Sequence, residues 1–337
     1  MRRTGRLFEQ VIDRENLRVA YSRALRGKRS RRDARAFGND LERNLADMAQ
    51  RLTSQEYPVG RFHQFVIHDP KERIITAPCF AERILHHAVM NVCEPVFERW
   101  LIHDTYACRR GRGRIAAVHR ACHFAGRHSF FLKLDIRKYF DSVSHAILRA
   151  RLSWVFKDER LLDLLNRIIG AFRGAGECGL PIGSLTSQHV ANFYLGWFDR
   201  FVKESLRVPG YVRYMDDMIL WWDSARDLAW ALDQCRKFLA DELRLEFKPT
   251  PFINRTEHGM DFLGSRVFPS HFTLNRRSRV RARRGVWRLE RLYREGLIDE
   301  ADLQRRATAL FAFMQAGGCA SWQFRRRLLQ QLQVGGQ

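Results

Sequence analysis

Leu41, Leu45, Met48 and Leu52 recur at helical spacing, which predicts an amphipathic helix ending near Tyr57-Pro58, where the proline cannot continue it. The period then changes. Phe65-Val66-Ile67 and Ile74-Ile75 are short β-prone runs on either side of Asp69-Pro70, a turn pair, and predict a hairpin. Helical spacing returns around Ile84 to Phe97 and Ile115 to Ala125. Phe131-Leu132-Lys133-Leu134 predicts a strand closed by Asp135, and Leu161 to Ile169 a strongly apolar helix. A further helix is expected from Ala191 to Leu206, after a loop at Gly183. Tyr211-Val212-Arg213 and Met218-Ile219-Leu220-Trp221-Trp222 predict two strands, followed by a helix carrying Leu228, Ala231, Leu232, Cys235, Phe238 and Leu239. No internal repeat or low-complexity linker breaks this order, so 337 residues are expected to form subdomains of one unit.

Between the last two strands stands Tyr214-Met215-Asp216-Asp217. Asp is depleted in strands and rarely buried without a partner, so two of them at a hairpin tip call for a cation. An ordinary Asp-rich turn is the plain alternative for an isolated pair. Asp135, at the end of another short strand, argues against it, because three carboxylates from two strands can hold two magnesium ions. Ions roughly 3.5–4 Å apart activate a hydroxyl on one side of a phosphate and stabilise the leaving oxygen on the other. That is nucleotidyl transfer.

With these residues in place the chain resembles reverse transcriptases. The Tyr214 to Asp217 box is similar to their palm motif, and Asp135 with Phe140 to the preceding strand, where an aromatic five residues after the metal Asp excludes ribonucleotides. Lys71-Glu72-Arg73-Ile74-Ile75 resembles the basic fingers strand that meets the incoming triphosphate. Tyr106-Ala107-Cys108-Arg109, Gly179-Leu180-Pro181-Ile182-Gly183-Ser184-Leu185-Thr186-Ser187-Gln188 and Gly259-Met260-Asp261-Phe262-Leu263-Gly264 follow in the family's order, so the resemblance runs from about Leu7 to the C-terminus. It implies an α+β right-hand polymerase fold: N-terminal helices and fingers over 1–127, palm over 128–148, fingers again over 149–182, palm over 183–268, with an antiparallel sheet carrying the acidic hairpin, and a short helical thumb over 269–337. It also implies catalytic and metal-holding roles for Asp135, Asp216 and Asp217, with the Ile136 carbonyl as a further ligand of two Mg2+ ions. Lys71, Arg73, Phe140, Ile182, Gly183 and Gln188 would meet the nucleotide. Lys248 stands near a lysine that protonates the leaving pyrophosphate in related polymerases, and is the candidate general acid.

One segment narrows the subfamily. Where most group II intron-type enzymes carry Gln-Gly, three residues and Ser-Pro, this chain has Ile182-Gly183, three residues and Ser187-Gln188. That variant is similar to the reverse transcriptases of diversity-generating retroelements. Those enzymes copy a template RNA with errors opposite adenine and work with a basic pentameric accessory variability protein. Arg114-Ile115 departs from the family's usual Thr-His, and Asp141 from a frequent Pro; neither touches the metal site. Because the sequence stops soon after the thumb-like region, the extra domains of intron-encoded relatives are not expected. A standalone group II-like reverse transcriptase acting in phage defence or repair remains an alternative, as does an RNA-binding module without catalysis.

Composition fits a nucleic-acid partner. Lys+Arg number 59 against 37 Asp+Glu, a formal net charge of +22. Nine arginines crowd between Arg276 and Arg294, including Arg276, Arg277, Arg279, Arg281, Arg283, Arg284 and Arg288, interleaved with Val280, Val286, Trp287, Leu289 and Leu292. This predicts a basic helical stripe with an apolar back that grips primer-template duplex, rather than a merely solvated or membrane-surface helix. No stretch approaches the ~20 apolar residues of a membrane span. Glu9, Asp13 and Glu15 spoil a transit-peptide pattern, so a cytoplasmic, bacterial or phage-encoded protein is expected. The seven cysteines contain no CxxC pair, which argues against a disulfide framework, and His119, Cys122 and His123 read as helix surface rather than a zinc site.

Overall fold

The computed structural model describes residues 3–68, 72–172 and 176–315, together with 324, 326 and 327. The chain begins with four helices, α1 (Phe8–Ile12), α2 (Arg14–Ala24), α3 (Arg32–Asn39) and α4 (Leu41–Thr53), then strands β1 (Phe62–His68) and β2 (Glu72–Pro78). Helices α5 (Phe80–Trp100) and α6 (Arg114–Ala125), strand β3 (Phe130–Asp135) and helices α7 (Tyr139–Ser142), α8 (His145–Val155) and α9 (Glu159–Gly170) follow. Next come α10 (Leu185–Tyr194), α11 (Gly196–Arg200), β4 (Gly210–Tyr214), β5 (Asp217–Trp222) and α12 (Ala225–Phe238). The remainder is β6 (Phe252–Arg255), β7 (Met260–Phe262), β8 (Ser265–Val267), β9 (Phe272–Leu274), α13 (Arg276–Arg294) and α14 (Glu300–Gln315). These elements form two compact units, one of residues 1–103, 136–205 and 234–248, the other of 104–135, 206–233 and 249–337.

In the first unit α5 is the central helix, with α2 and α10 packed on it. Ile84, Leu85, Ala88, Val89, Met90, Cys93, Val96 and Phe97 are all buried, the mark of a helix apolar on most sides. β1 and β2 pair antiparallel from Phe62 opposite Pro78 to His68 opposite Glu72. The expected turn pair Asp69-Pro70 lies outside the described residues. The expected helix from Ala191 to Leu206 is corrected: helix begins at Leu185, is interrupted after Tyr194, and passes through α11 into a π-helical turn over Phe201–Ser205. Ser184, in extended conformation at the N-cap, sets that earlier start.

The second unit is built on a four-stranded sheet of order β4-β5-β3-β6, antiparallel at every pairing. Both faces are covered, so β3 and β5 read as near-continuous apolar runs rather than alternating ones. On one face Phe131, Val212, Ile219 and Trp221 pack with Val118, Ala121 and Phe124 of α6 and with Met260, Phe262 and Val267. β4 is not an open edge. Its Arg213 amide donates to the Asp104 carbonyl at 2.9 Å and its carbonyl accepts from the Tyr106 amide at 3.0 Å. A small sheet β7-β8-β9 follows, its first hairpin turning at Leu263-Gly264, both with positive φ, as a two-residue type I′ turn requires. Leu274, Ala282, Val286 and Met314 close a separate cluster beneath α13 and α14.

Candidate active site

Asp217 is the first residue of β5 and pairs directly with Tyr214, leaving Met215-Asp216 as a two-residue turn. Met215 has φ +58° while Asp216 keeps an ordinary negative φ, the pattern of a type II′ turn, whose first central position normally takes glycine. A methionine there is strained by about 1–3 kcal/mol. The strain is held from behind: Arg213, fully buried, donates from Nη1 to the Met215 carbonyl at 3.0 Å. The Tyr106 segment, hydrogen-bonded to β4, thus supports the strand that carries the acidic turn.

Register brings the third carboxylate in. Asp135 lies directly across from Asp217. Like charges opposite each other on adjacent strands repel, by roughly 0.2–1 kcal/mol in ordinary sheets. Lys133, two residues before Asp135 on β3 and so on the same face, answers part of this repulsion. Its Nζ is 3.6 Å from Asp217 Oδ1 and donates to the Asp261 carbonyl at 2.6 Å. The Asp217 side chain is 25% exposed, yet its Oδ1 is buried and accepts no hydrogen bond. Burial, aided by the charges of Asp135 and Asp216 and opposed by Lys133, pushes its carboxyl up to about 6.

A buried carboxylate oxygen with no donor, beside two more acids, is a donor set suited to a hard divalent cation. The residues therefore fit magnesium, although no three or more His, Cys, Asp or Glu are drawn together into a finished cage among the described residues. Ile136, next along the chain, is buried and bridges antiparallel to Phe247, one residue before exposed Lys248.

The nucleotide candidates belong to the other unit. Arg73 is exposed on β2 opposite Ile67, and Lys71 lies outside the described residues. Phe140 is half-buried in α7, its carbonyl accepting from the Leu180 amide at 2.7 Å, while Tyr139 beside it is buried. Ile182 meets β2 through its carbonyl, which accepts from the Thr76 amide at 2.7 Å. Gly183 has φ +120°, and a Cβ there would sit 2.7 Å from Ile75 Cγ2 and 3.2 Å from the Thr76 carbonyl oxygen, so only glycine lets the two segments meet. Gln188 is exposed on the first turn of α10.

All nine arginines of α13 are exposed, Arg276, Arg277, Arg279, Arg281, Arg283, Arg284 and Arg288 among them. The expected apolar back needs one correction. Trp287 is 49% exposed, with the Arg283 guanidinium 5.2 Å above its ring, because the buried face runs through Ser278, Ala282 and Val286 and leaves Trp287 outside it. His119 packs edge-on against Phe272, and the Cys122 thiol bonds the Phe268 carbonyl at 3.4 Å. Sequence reasoning missed Lys133 and Arg213. The first was visible as a cation two positions from an acid on a strand; the second had no local signal.

The reverse transcriptase (RNA-dependent DNA polymerase) family pattern matches residues 68–267, more than half of the chain and all three acids. The chain belongs to this family. Protein YkfC of Escherichia coli (strain K12) is 25% identical over 249 residues, 58% of this reverse transcriptase chain and 63% of YkfC. Group II intron-encoded protein LtrA of Lactococcus lactis subsp. cremoris is 25% identical over 172 residues, 48% of this chain and 28% of LtrA. The chain thus spans less than two thirds of either relative. Among solved structures, telomerase from Candida albicans in complex with a TWJ fragment of telomeric RNA has a TM-score of 0.51 at 10% identity, over 83% of this chain and 57% of that one. At that identity the likeness shows the fold, a right-hand polymerase.

Proposed function

We propose that this reverse transcriptase is an RNA-directed DNA polymerase that makes adenine-mutagenised cDNA from a template RNA, for targeted protein diversification in a diversity-generating retroelement. The observation that carries this reading is Ile182 before Gly183, with Ser187-Gln188 three residues on. An amide at position 182 can hydrogen-bond near the incoming nucleotide and hold it in matched geometry. Ile offers apolar contact alone. A discriminating hydrogen bond is worth on the order of 1–3 kcal/mol, so its loss relaxes selection about tenfold to a hundredfold. The bias toward adenine comes from the family resemblance; the physics supplies the looseness.

Asp135, Asp216, Asp217 and the Ile136 carbonyl would hold two magnesium ions, which activate a primer 3′-hydroxyl and stabilise the leaving oxygen. Lys71 and Arg73 neutralise triphosphate charge, Phe140 excludes the 2′-hydroxyl, and Lys248 gives a proton to pyrophosphate. The α13 arginines hold the primer-template duplex, and a basic pentameric accessory variability protein is the expected partner. Fingers, palm and thumb follow the boundaries that the family resemblance implies, and the setting is bacterial or phage cytoplasm.

Sequencing cDNA made by the purified protein on a defined RNA template tests this. Errors should concentrate opposite adenine and fall by about tenfold or more in Ile182→Gln, the value of one orienting hydrogen bond. Error rates at adenine no higher than at the other three bases would leave an ordinary reverse transcriptase.

A further inference from the structure

Three polar side chains with no part in metal, nucleotide or duplex binding are buried together in the first unit. Glu82, His86 and Ser184 are each 1% exposed. Glu82 and His86 stand one turn apart on α5, and Ser184 follows Gly183. The two Glu82 carboxylate oxygens accept from the backbone amides of Gly60 at 2.9 Å and Arg61 at 2.8 Å, immediately before β1. His86 Nδ1 is 2.8 Å from Ser184 Oγ, and its Nε2 faces Glu82 Oε1 at 3.5 Å. Serine, histidine and a carboxylate in this order also build hydrolytic centres, but a nucleophile sealed from solvent can reach no substrate.

Ser184 shows what the cluster is for. It occupies the N-cap of α10, where a serine hydroxyl ordinarily accepts from the first-turn amides, yet it makes no cap hydrogen bond. The hydroxyl is turned to His86 instead. On the other side of the same loop, Thr76 of β2 donates to the Ile182 carbonyl, and Gly183 admits Ile75 within a distance no side chain would allow. The Cys79 amide closes the hairpin root on the Arg61 carbonyl at 2.8 Å. Glu82 therefore fixes the start of β1 to α5 by two hydrogen bonds, and His86 fixes Ser184 to the same helix by another. The two side chains stand side by side at 3.5 Å with His86 Nε2 making no hydrogen bond, while the Ile182 carbonyl ties the loop to β2.

We infer that Glu82, His86 and Ser184 are positioning residues that set the Ile182-Gly183 loop against β2 and so determine how strictly an incoming nucleotide is selected. The inference rests on the reading that this loop meets the new base pair. Its geometric half, the coupling of Ser184 to the β2 contact, stands apart from that reading and has its own measurement.

Ser184→Ala removes the hydroxyl with little change of volume. Single-nucleotide extension on an RNA template should show KM for the matched nucleotide raised about tenfold with kcat within about twofold, and a smaller preference for matched over mismatched nucleotides. Glu82→Gln, which keeps shape and loses one acceptor, should behave alike, and the double variant should be no worse than the poorer single, because the residues act as a unit. Hydrogen exchange of the Thr76 amide should quicken in both. A fall in kcat proportional to the loss of folded protein at unchanged KM, additive losses in the double variant, or an unaltered Thr76 amide would each overturn the inference. Faster Thr76 exchange in the variants, beside a wild-type protein that fails to extend any primer, would keep the coupling and overturn the polymerase reading.

Discussion

At the scale of the residue, the metal-holding role proposed for Asp217 sets function against folding. Its carboxyl is raised to about 6 by burial and by Asp135 and Asp216, against an ordinary value of 3.8. The folded chain therefore binds this proton more tightly than the unfolded one. The stability it contributes is fully present below the unfolded value of 3.8 and is lost as pH rises through about 6. Asp217→Asn, uncharged at every pH, should melt higher than wild type at pH 7 in EDTA, with the gap closing toward pH 4, while primer extension falls by at least a hundredfold, ~2.7 kcal/mol of barrier. Melting curves across that range, paired with extension in magnesium, check both halves. Equal melting temperatures at pH 7 would show that the acids do not strain the apo fold. The acids themselves were legible in sequence because aspartate is out of place beside strands. Lys133 touching Asp217 was not, since that contact depends on strand register across more than eighty intervening residues.

At the scale of the element, α13 is the case where sequence and structure coincide: its arginines, and its asparagine N-cap accepting from the Ser278 amide, mark the helix that spans Arg276–Arg294. The period was clear because an amphipathic helix writes its buried stripe locally. Trp287 was misplaced, because hydrophobicity alone cannot tell a core ring from one stacked under arginine on the outside. Replacing Arg281, Arg283 and Arg284 by alanine should weaken primer-template binding on every sequence and flatten its salt dependence by up to roughly 0.9 in slope for each phosphate no longer neutralised. Titrations at four or more salt concentrations measure the slope. An unchanged slope would make this face a docking surface for another partner. The π-helical turn over Phe201–Ser205 and the three-residue strands β7 to β9 were illegible for the opposite reason. They are too short to show a period and owe their form to tertiary packing.

At the scale of the whole molecule, a formal charge of +22 makes nucleic-acid affinity steeply dependent on ionic strength. Binding of an unrelated RNA should weaken by roughly a thousandfold between about 50 and 200 mM salt if six or more phosphates are neutralised, whereas the base-specific error pattern of the cDNA should not move. Fluorescence anisotropy reads the first, and a nearly flat salt response would show that the excess positive charge neutralises few phosphates. No helix among the described residues is long and apolar enough to cross a membrane. The fold class was legible because acids, glycines and apolar runs fall in a fixed order along the chain. Its long-range polar contacts, such as Arg120 gripping Asp104 while Asp104 holds the Arg213 backbone, were not. The Met215 turn has a consequence for anyone remaking this protein. A redesign guided by thermostability alone would put glycine at 215 and a neutral residue at 217, and each change would register as an improvement. Such a campaign would select, step by step, for a sturdier molecule with its proposed metal-holding tip erased. Met215 and Asp217 are thus ones to freeze before optimisation begins.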